Sequence, residues 1–160
     1  MMVWLLGIWN LLLAGFYPGL PAIKDEIMSD TSQNAKFQGV VSGTPNVLLR
    51  GEGALVLATA TYAYSLQGHG WLMFALLFFV PDIFMLGFLG GNKLGALIYN
   101  IGHTYTVPGI LLAAGWFATS PLLIAIALIW IGHIGFDRIL GYGLKYDAGF
   151  KFSHLSAPTS

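Results

Sequence analysis

From Val47 onward the chain consists of four apolar runs, each of about twenty residues, the length that crosses a bilayer. The runs are Val47–Leu66, Trp71–Leu89, Leu94–Phe117 and Pro121–Leu144. Three short connections join them: Gln67-Gly-His-Gly70, Gly90-Gly-Asn-Lys93 and Ala118-Thr-Ser-Pro121. Connections this short and this rich in turn formers bring successive helices back antiparallel. Composition agrees. Of 160 residues, 56% are hydrophobic and 9% are charged, where a soluble domain carries roughly a quarter charged residues. The expected fold is an all-α integral membrane protein: an antiparallel four-helix transmembrane bundle over residues 47–144, with the lipid bilayer as its main partner.

Residues 1–23 are also apolar and carry Trp4, Trp9 and Phe16, with no Lys or Arg before Lys24. A secretory signal needs a positive start and a small-residue cleavage site. A hydrophobic helix, spanning or interfacial, fits better, with Pro18 and Pro21 disturbing its second half. Residues 24–46 read as a polar linker, and a start at Met28 would leave the four-run core intact. Residues 145–160 read as a tail. The net charge is zero, which excludes a basic nucleic-acid surface. The absence of cysteine excludes thiol catalysis and thiolate metal sites.

The charges orient the core. Lys24, Lys36 and Arg50 precede or open the first run, Lys93 lies between the second and third, and Lys145 and Lys151 follow the fourth. The other two connections hold no Lys or Arg. By the positive-inside rule, the linker, the Lys93 connection and the C-terminus are expected on the cytoplasmic side.

Depth then gathers the ionisable groups. Counting at about 1.5 Å per residue from the cytoplasmic ends puts Glu52 about 8 Å, Asp137 about 9 Å, His103 about 14 Å, His133 about 15 Å and Asp82 about 17 Å deep. All lie in the inner half of the hydrocarbon layer or near its midplane, one or two from each run. His133 and Asp137, four apart, share a helix face, as do Asn100 and His103, three apart. Arg138 follows Asp137. Charges at such depths are expensive and imply partners. The candidate site is therefore Glu52, Asp82, Asn100, His103, His133, Asp137 and Arg138. Within it, His103, His133 and Asp137 form a two-histidine, one-carboxylate set that suits a divalent metal ion. The plainer reading is an internal salt-bridge network that fixes helix packing, with Arg50 and Arg138 snorkelling. His69 and His154 are expected in solvent. Gly95, Gly102 and Gly109, at heptad spacing, let helices approach closely.

The run Leu49-Arg-Gly-Glu-Gly53, then Pro81-Asp82, Tyr99-Asn100-Ile-Gly-His103-Thr-Tyr105 and His133-Ile-Gly-Phe-Asp137-Arg138-Ile-Leu-Gly-Tyr-Gly-Leu-Lys-Tyr146, resembles a family of small four-helix membrane proteins known as domain of unknown function 4260. The resemblance covers about Val47 to His154. It implies the four-helix core and supports the seven candidate residues as signature positions. It implies no activity.

Three functions compete. A membrane enzyme acting on a lipid-like or amphipathic substrate would use the cluster with a divalent metal or as acid–base groups. A small proton-coupled transporter would use Glu52 or Asp82, and would favour a homo-oligomer. A structural or assembly subunit would use the polar groups only to set helix register. Two imidazoles with three carboxylates exceed what packing requires, which favours the enzyme.

Overall fold

A computed structural model describes residues 39–156. The expectations for residues 1–23, and for the linker as far as residue 38, lie outside the described residues. The described part is all-helical, apart from one isolated antiparallel bridge between Lys145 and Ser153. The helices are α1 (Gly43–Ser65), α2 (Trp71–Phe78), α3 (Asn92–Gly102), α4 (Thr106–Phe117) and α5 (Pro121–Leu140), with a 3₁₀ segment, Val80–Gly90, between α2 and α3.

Two of the four apolar runs are thus broken, and each break has a proline. Pro81 cannot donate to the carbonyl four residues back, and the chain tightens there into 3₁₀ geometry. The Asp82 N–H bonds to the Phe79 carbonyl at 3.1 Å. Pro108 sits in the first turn of α4, where its missing N–H costs nothing. A continuous helix through it would lose the bond to Thr104, so α3 stops at Gly102 and α4 starts at Thr106. Side chains of α5 satisfy the carbonyls at this break. Trp130 Nε1 donates to the Gly102 oxygen at 2.7 Å, and Arg138 donates to the His103 oxygen at 3.2 Å.

Helix α5 is the axis of the bundle. α1, α2 and α4 pack against it, while α3 packs against the 3₁₀ segment. α1 runs antiparallel to α5 with backbones nearly touching at Gly53 and Gly135. A Cβ on Gly135 would stand 2.8 Å from the Gly53 oxygen. Of the three heptad glycines, Gly95 and Gly102 receive the Phe88 and Phe84 rings, whereas Gly109 has open space above it. The main apolar core, at the α1–α5 contact, is Tyr64, Ala125, Leu128 and Ile129, with Met73, Phe74 and Phe78 packed on it.

α5 begins with Pro121 after a Ser120 cap and ends at Gly141, in the left-handed region at φ 87°. The bonds from the Gly141 N–H to the Arg138 oxygen and from the Tyr142 N–H to the Asp137 oxygen close a Schellman turn. The helix therefore stops four residues before the expected Leu144. The expected tail then folds back on the bundle. The His154 oxygen accepts from the Val41 N–H, Asn46 donates to the Leu155 oxygen, and Ser153 is fully buried. His154 is not in solvent: it is half-buried, and its Nδ1 accepts the Leu144 N–H at 2.8 Å. Burial lowers its pKa from the usual histidine value.

Among the described residues, two helical stretches are long and apolar enough to cross a membrane, Trp71–Gly90 and Pro121–Leu140.

Candidate functional site

Each histidine arrives at the site by a different device. His103 is the residue at which α3 ends, and the break turns its ring inward. His133 projects from the middle of α5. Both are almost wholly buried. Their Nε2 atoms stand 3.3 Å apart. Asp82, just past the Pro81 break, brings Oδ1 to 3.8 Å from His103 Nε2 and 3.6 Å from His133 Nε2. Asp137, one turn beyond His133, brings Oδ2 to 3.6 Å and 3.9 Å from the same two atoms. Four chemically active side chains thus point two nitrogens and two oxygens at one spot.

The ring of His103 is held at both ends. Its Nδ1 lies 3.0 Å from the Tyr99 carbonyl oxygen. A carbonyl only accepts, so Nδ1 carries the proton and the neutral ring presents the Nε2 lone pair to the cluster. This is how metal-binding histidines are commonly oriented. The Tyr99 ring stacks on the imidazole with centroids 3.8 Å apart. The Tyr99 hydroxyl donates to Asp137 Oδ2 at 3.2 Å. His133 packs edge-on against Phe78, and its buried Nδ1 has no partner among the described residues.

Asp82, His103 and His133 each offer a ligand atom, all within 4.8 Å of one another. Asp137 Oδ2 adds a fourth donor from the side of Tyr99. A divalent ion with bonds of about 2.0–2.1 Å in tetrahedral coordination needs donors about 3.3–3.4 Å apart. Five of the six donor pairs, 3.3–3.9 Å apart, need only a slight contraction to meet that; Asp137 stands outside the set of three that lie mutually within 4.8 Å and would have to move in toward Asp82.

Asp82, His133 and Asp137 form one wall of a cavity of about 310 Å³ that Tyr99, Phe136, Tyr142, Lys145 and Phe150 also line. Lys145 is 7% exposed. Burial lowers its pKa from the usual lysine value, and the nearby Asp137 charge opposes the shift.

The other sequence candidates separate. Glu52 is exposed and makes no hydrogen bond or ion pair among the described residues. The α1 residue that meets α5 is Gly53, about 100° further round the helix, so Glu52 stands outside the cluster. Asn100 grips the backbone of Lys145, accepting its N–H at 2.7 Å and donating to its oxygen at 2.9 Å. Arg138 braces the His103 carbonyl and the Tyr142 oxygen. These two hold the frame of the site without entering it. Tyr99 and Lys145 escaped the sequence reading. Tyr99 could have been found, because it lies four residues before His103 on the same helix face.

Fold and cluster together define an all-helical protein in which two buried histidines meet a buried aspartate, Asp137, and a partly exposed one, Asp82. The chain belongs to the family described as a domain of unknown function, DUF4260, whose model matches residues 46–157. No curated protein and no solved structure matches the chain.

Proposed function

We propose that this chain is a multi-pass membrane enzyme that holds a divalent metal ion at Asp82, His103, His133 and Asp137 and acts on a lipid-like or amphipathic substrate. The convergence of two imidazoles and two carboxylates, with five of the six donor pairs 3.3–3.9 Å apart, carries this reading. The tautomer fixed at His103 supports it, because a lone pair is already aimed at the ion's position. A metal there would polarise a substrate oxygen, or lower the pKa of a water, that entered as a fifth ligand. Tyr99 orients Asp137, while Asn100 and Arg138 are positioning residues.

The four-span arrangement, with the site near the cytoplasmic face, is part of the proposal. Large apolar side chains on Trp71–Gly90 stand exposed, among them Leu72, Leu76, Ile83 and Leu86, as lipid contact requires. The cationic residues Arg50, Lys93, Lys145 and Lys151 all fall at the starts of α1 and α3 or beyond the end of α5, on one side of an antiparallel bundle.

Elemental analysis of the full chain, purified in neutral detergent without chelator, tests the metal. One divalent ion per chain is expected, with its loss in His133→Ala while the helical circular-dichroism signal persists. A protein free of metal, and unable to take it up, would overturn the metal centre. The 3.3 Å contact between the two Nε2 atoms favours one second reading, a metal-free acid–base pair sharing a proton. The same measurement separates the two. For topology, single cysteines at positions 92 and 68 should label from opposite sides of the membrane, and labelling from the same side would exclude the four spans.

A further inference from the structure

Lys145 has no role in holding the four-ligand cluster, yet it is built into the same cavity with care. Its backbone is fixed by both bonds to Asn100 and by the bridge to Ser153. Its ammonium lies 4.4 Å from the Phe150 ring centroid, 5.2 Å from that of Tyr99 and 5.6 Å from that of Tyr142. Among the described residues, the ammonium makes no ion pair and no hydrogen bond. A cation on a side chain this buried, with aromatic faces around it and no carboxylate within ion-pair distance, is short of a contacting counter-charge, although Asp82 and Asp137 line the same cavity.

Formal charges point the same way. Two aspartates cancel a divalent ion, and Lys145 then leaves the cavity one positive charge in excess. An anionic head group would offset it. The rest of the lining is apolar. Phe79, Met85 and Leu140 lie at the exposed edge, where the cavity meets the apolar surface of the bundle. At about 30 Å³ per water, the 310 Å³ cavity holds the equivalent of about ten waters. That is room for a small head group and the first carbons of a chain, with the remainder lying outside against apolar side chains.

We infer that the cavity binds a single-chain anionic amphiphile, its carboxylate or phosphate head between Lys145 and the metal cluster and its chain leaving over Phe79, Met85 and Leu140. The inference rests on the reading of this cavity as the substrate site, and it names the substrate class. Lys145 is the specificity residue: it selects the charge of the head group by a charge-assisted hydrogen bond.

Calorimetric binding to the full chain in neutral detergent tests this, with four probes of equal chain length: dodecanoate, dodecyl phosphate, dodecanol and dodecyltrimethylammonium. The wild-type protein should bind the anions and discriminate against the alcohol and the cation. The preferred anion identifies the head group as carboxylate or phosphate. In Lys145→Met, which keeps the stem, anion affinity should fall about tenfold or more, the usual loss with a charged hydrogen-bond partner, and dodecanol binding should stay unchanged. Lys145→Arg should restore anion preference. Equal binding of dodecanoate and dodecanol by the wild-type protein would overturn the inference without any variant. So would Lys145→Met with undiminished anion affinity. Metal content measured on the same samples keeps the two claims apart. A metal-loaded protein indifferent to head-group charge removes this inference and leaves the metal centre standing. A metal-free protein with Lys145-dependent anion binding does the reverse.

Discussion

Trp71–Gly90 and Pro121–Leu140 are both 20 residues long, both apolar enough to cross a membrane, and both contribute to the site. Their surroundings are opposite. Only 11% of the first stretch is buried, against 50% of the second. The second is the axis on which α1, α2 and α4 pack. The first presents its apolar side chains outward and turns inward chiefly at Pro81, which is buried, and Asp82. Hydropathy alone treats the two alike. Burial separates a helix wrapped by protein from one that presents its apolar side chains outward. The cluster forms where they meet: His133 and Asp137 from the axis, Asp82 from the outer stretch, and His103 from the break between α3 and α4.

Four changes would break or sharpen that contrast. The largest effect is expected on the axis. Gly135→Leu drives a side chain into the Gly53 oxygen and the Leu57 nitrogen, 2.8 and 2.9 Å from where a Cβ would sit. Backbone atoms cannot step aside cheaply, so a loss of about 3 kcal/mol or more in stability is expected, read as a collapse of the thermal transition or as failure to fold.

On the outer stretch, Leu76→Lys tests the medium. Leu76 is 66% exposed. In water such a change stays within about 0.5 kcal/mol. In a bilayer it should cost about 2.5–3.5 kcal/mol, read as reduced membrane insertion. Unchanged insertion with better solubility would break the contrast at its outer end.

At the junction, Tyr99→Phe keeps the ring stacked on His103 and removes the hydroxyl from Asp137. Loss of such a supporting bond typically weakens a metal site about 10–100-fold, and metal competition titration should show that with the fold unchanged.

The smallest effect again lies on the axis. A Cβ at Gly132 would meet Leu57, Ala60 and Phe78 at 3.6–3.9 Å, ordinary contact distances. Gly132→Ala should therefore be neutral, or stabilising by up to about 1 kcal/mol through helix propensity. Gly132 and Gly135, one turn apart, thus predict opposite signs.

Much of this was legible in the sequence. The helical segments follow from run length and turn residues. Counting depth from the charged ends put Asp82, His103, His133 and Asp137 in the inner half of the layer or near its midplane, and the structure brings their polar atoms near one another. Glu52 fell in the same half because counting along a helix axis says nothing about rotation. One residue on, Gly53 faces α5 and Glu52 does not. The two breaks were half visible. Pro81 and Pro108 mark them, but whether a proline bends a helix or ends it depends on which neighbours take the carbonyls left open, at the Pro108 break Trp130 and Arg138. The roles of Asn100, Lys145 and His154 were illegible, because they depend on contacts between segments far apart in the chain. The Asn100–Lys145 pair spans 45 positions and leaves no periodic trace.

The central claim is that two imidazoles and two carboxylates from three separate segments form one four-coordinate metal centre. Cobalt(II) substitution followed by visible absorption tests it most directly, since four-coordinate cobalt absorbs strongly and six-coordinate cobalt weakly. The account predicts saturation at one cobalt per chain with the intense bands of a four-coordinate site, competed away by zinc and absent from His103→Ala and His133→Ala proteins that keep their helical signal. A weak six-coordinate spectrum shared by wild type and both variants would contradict it.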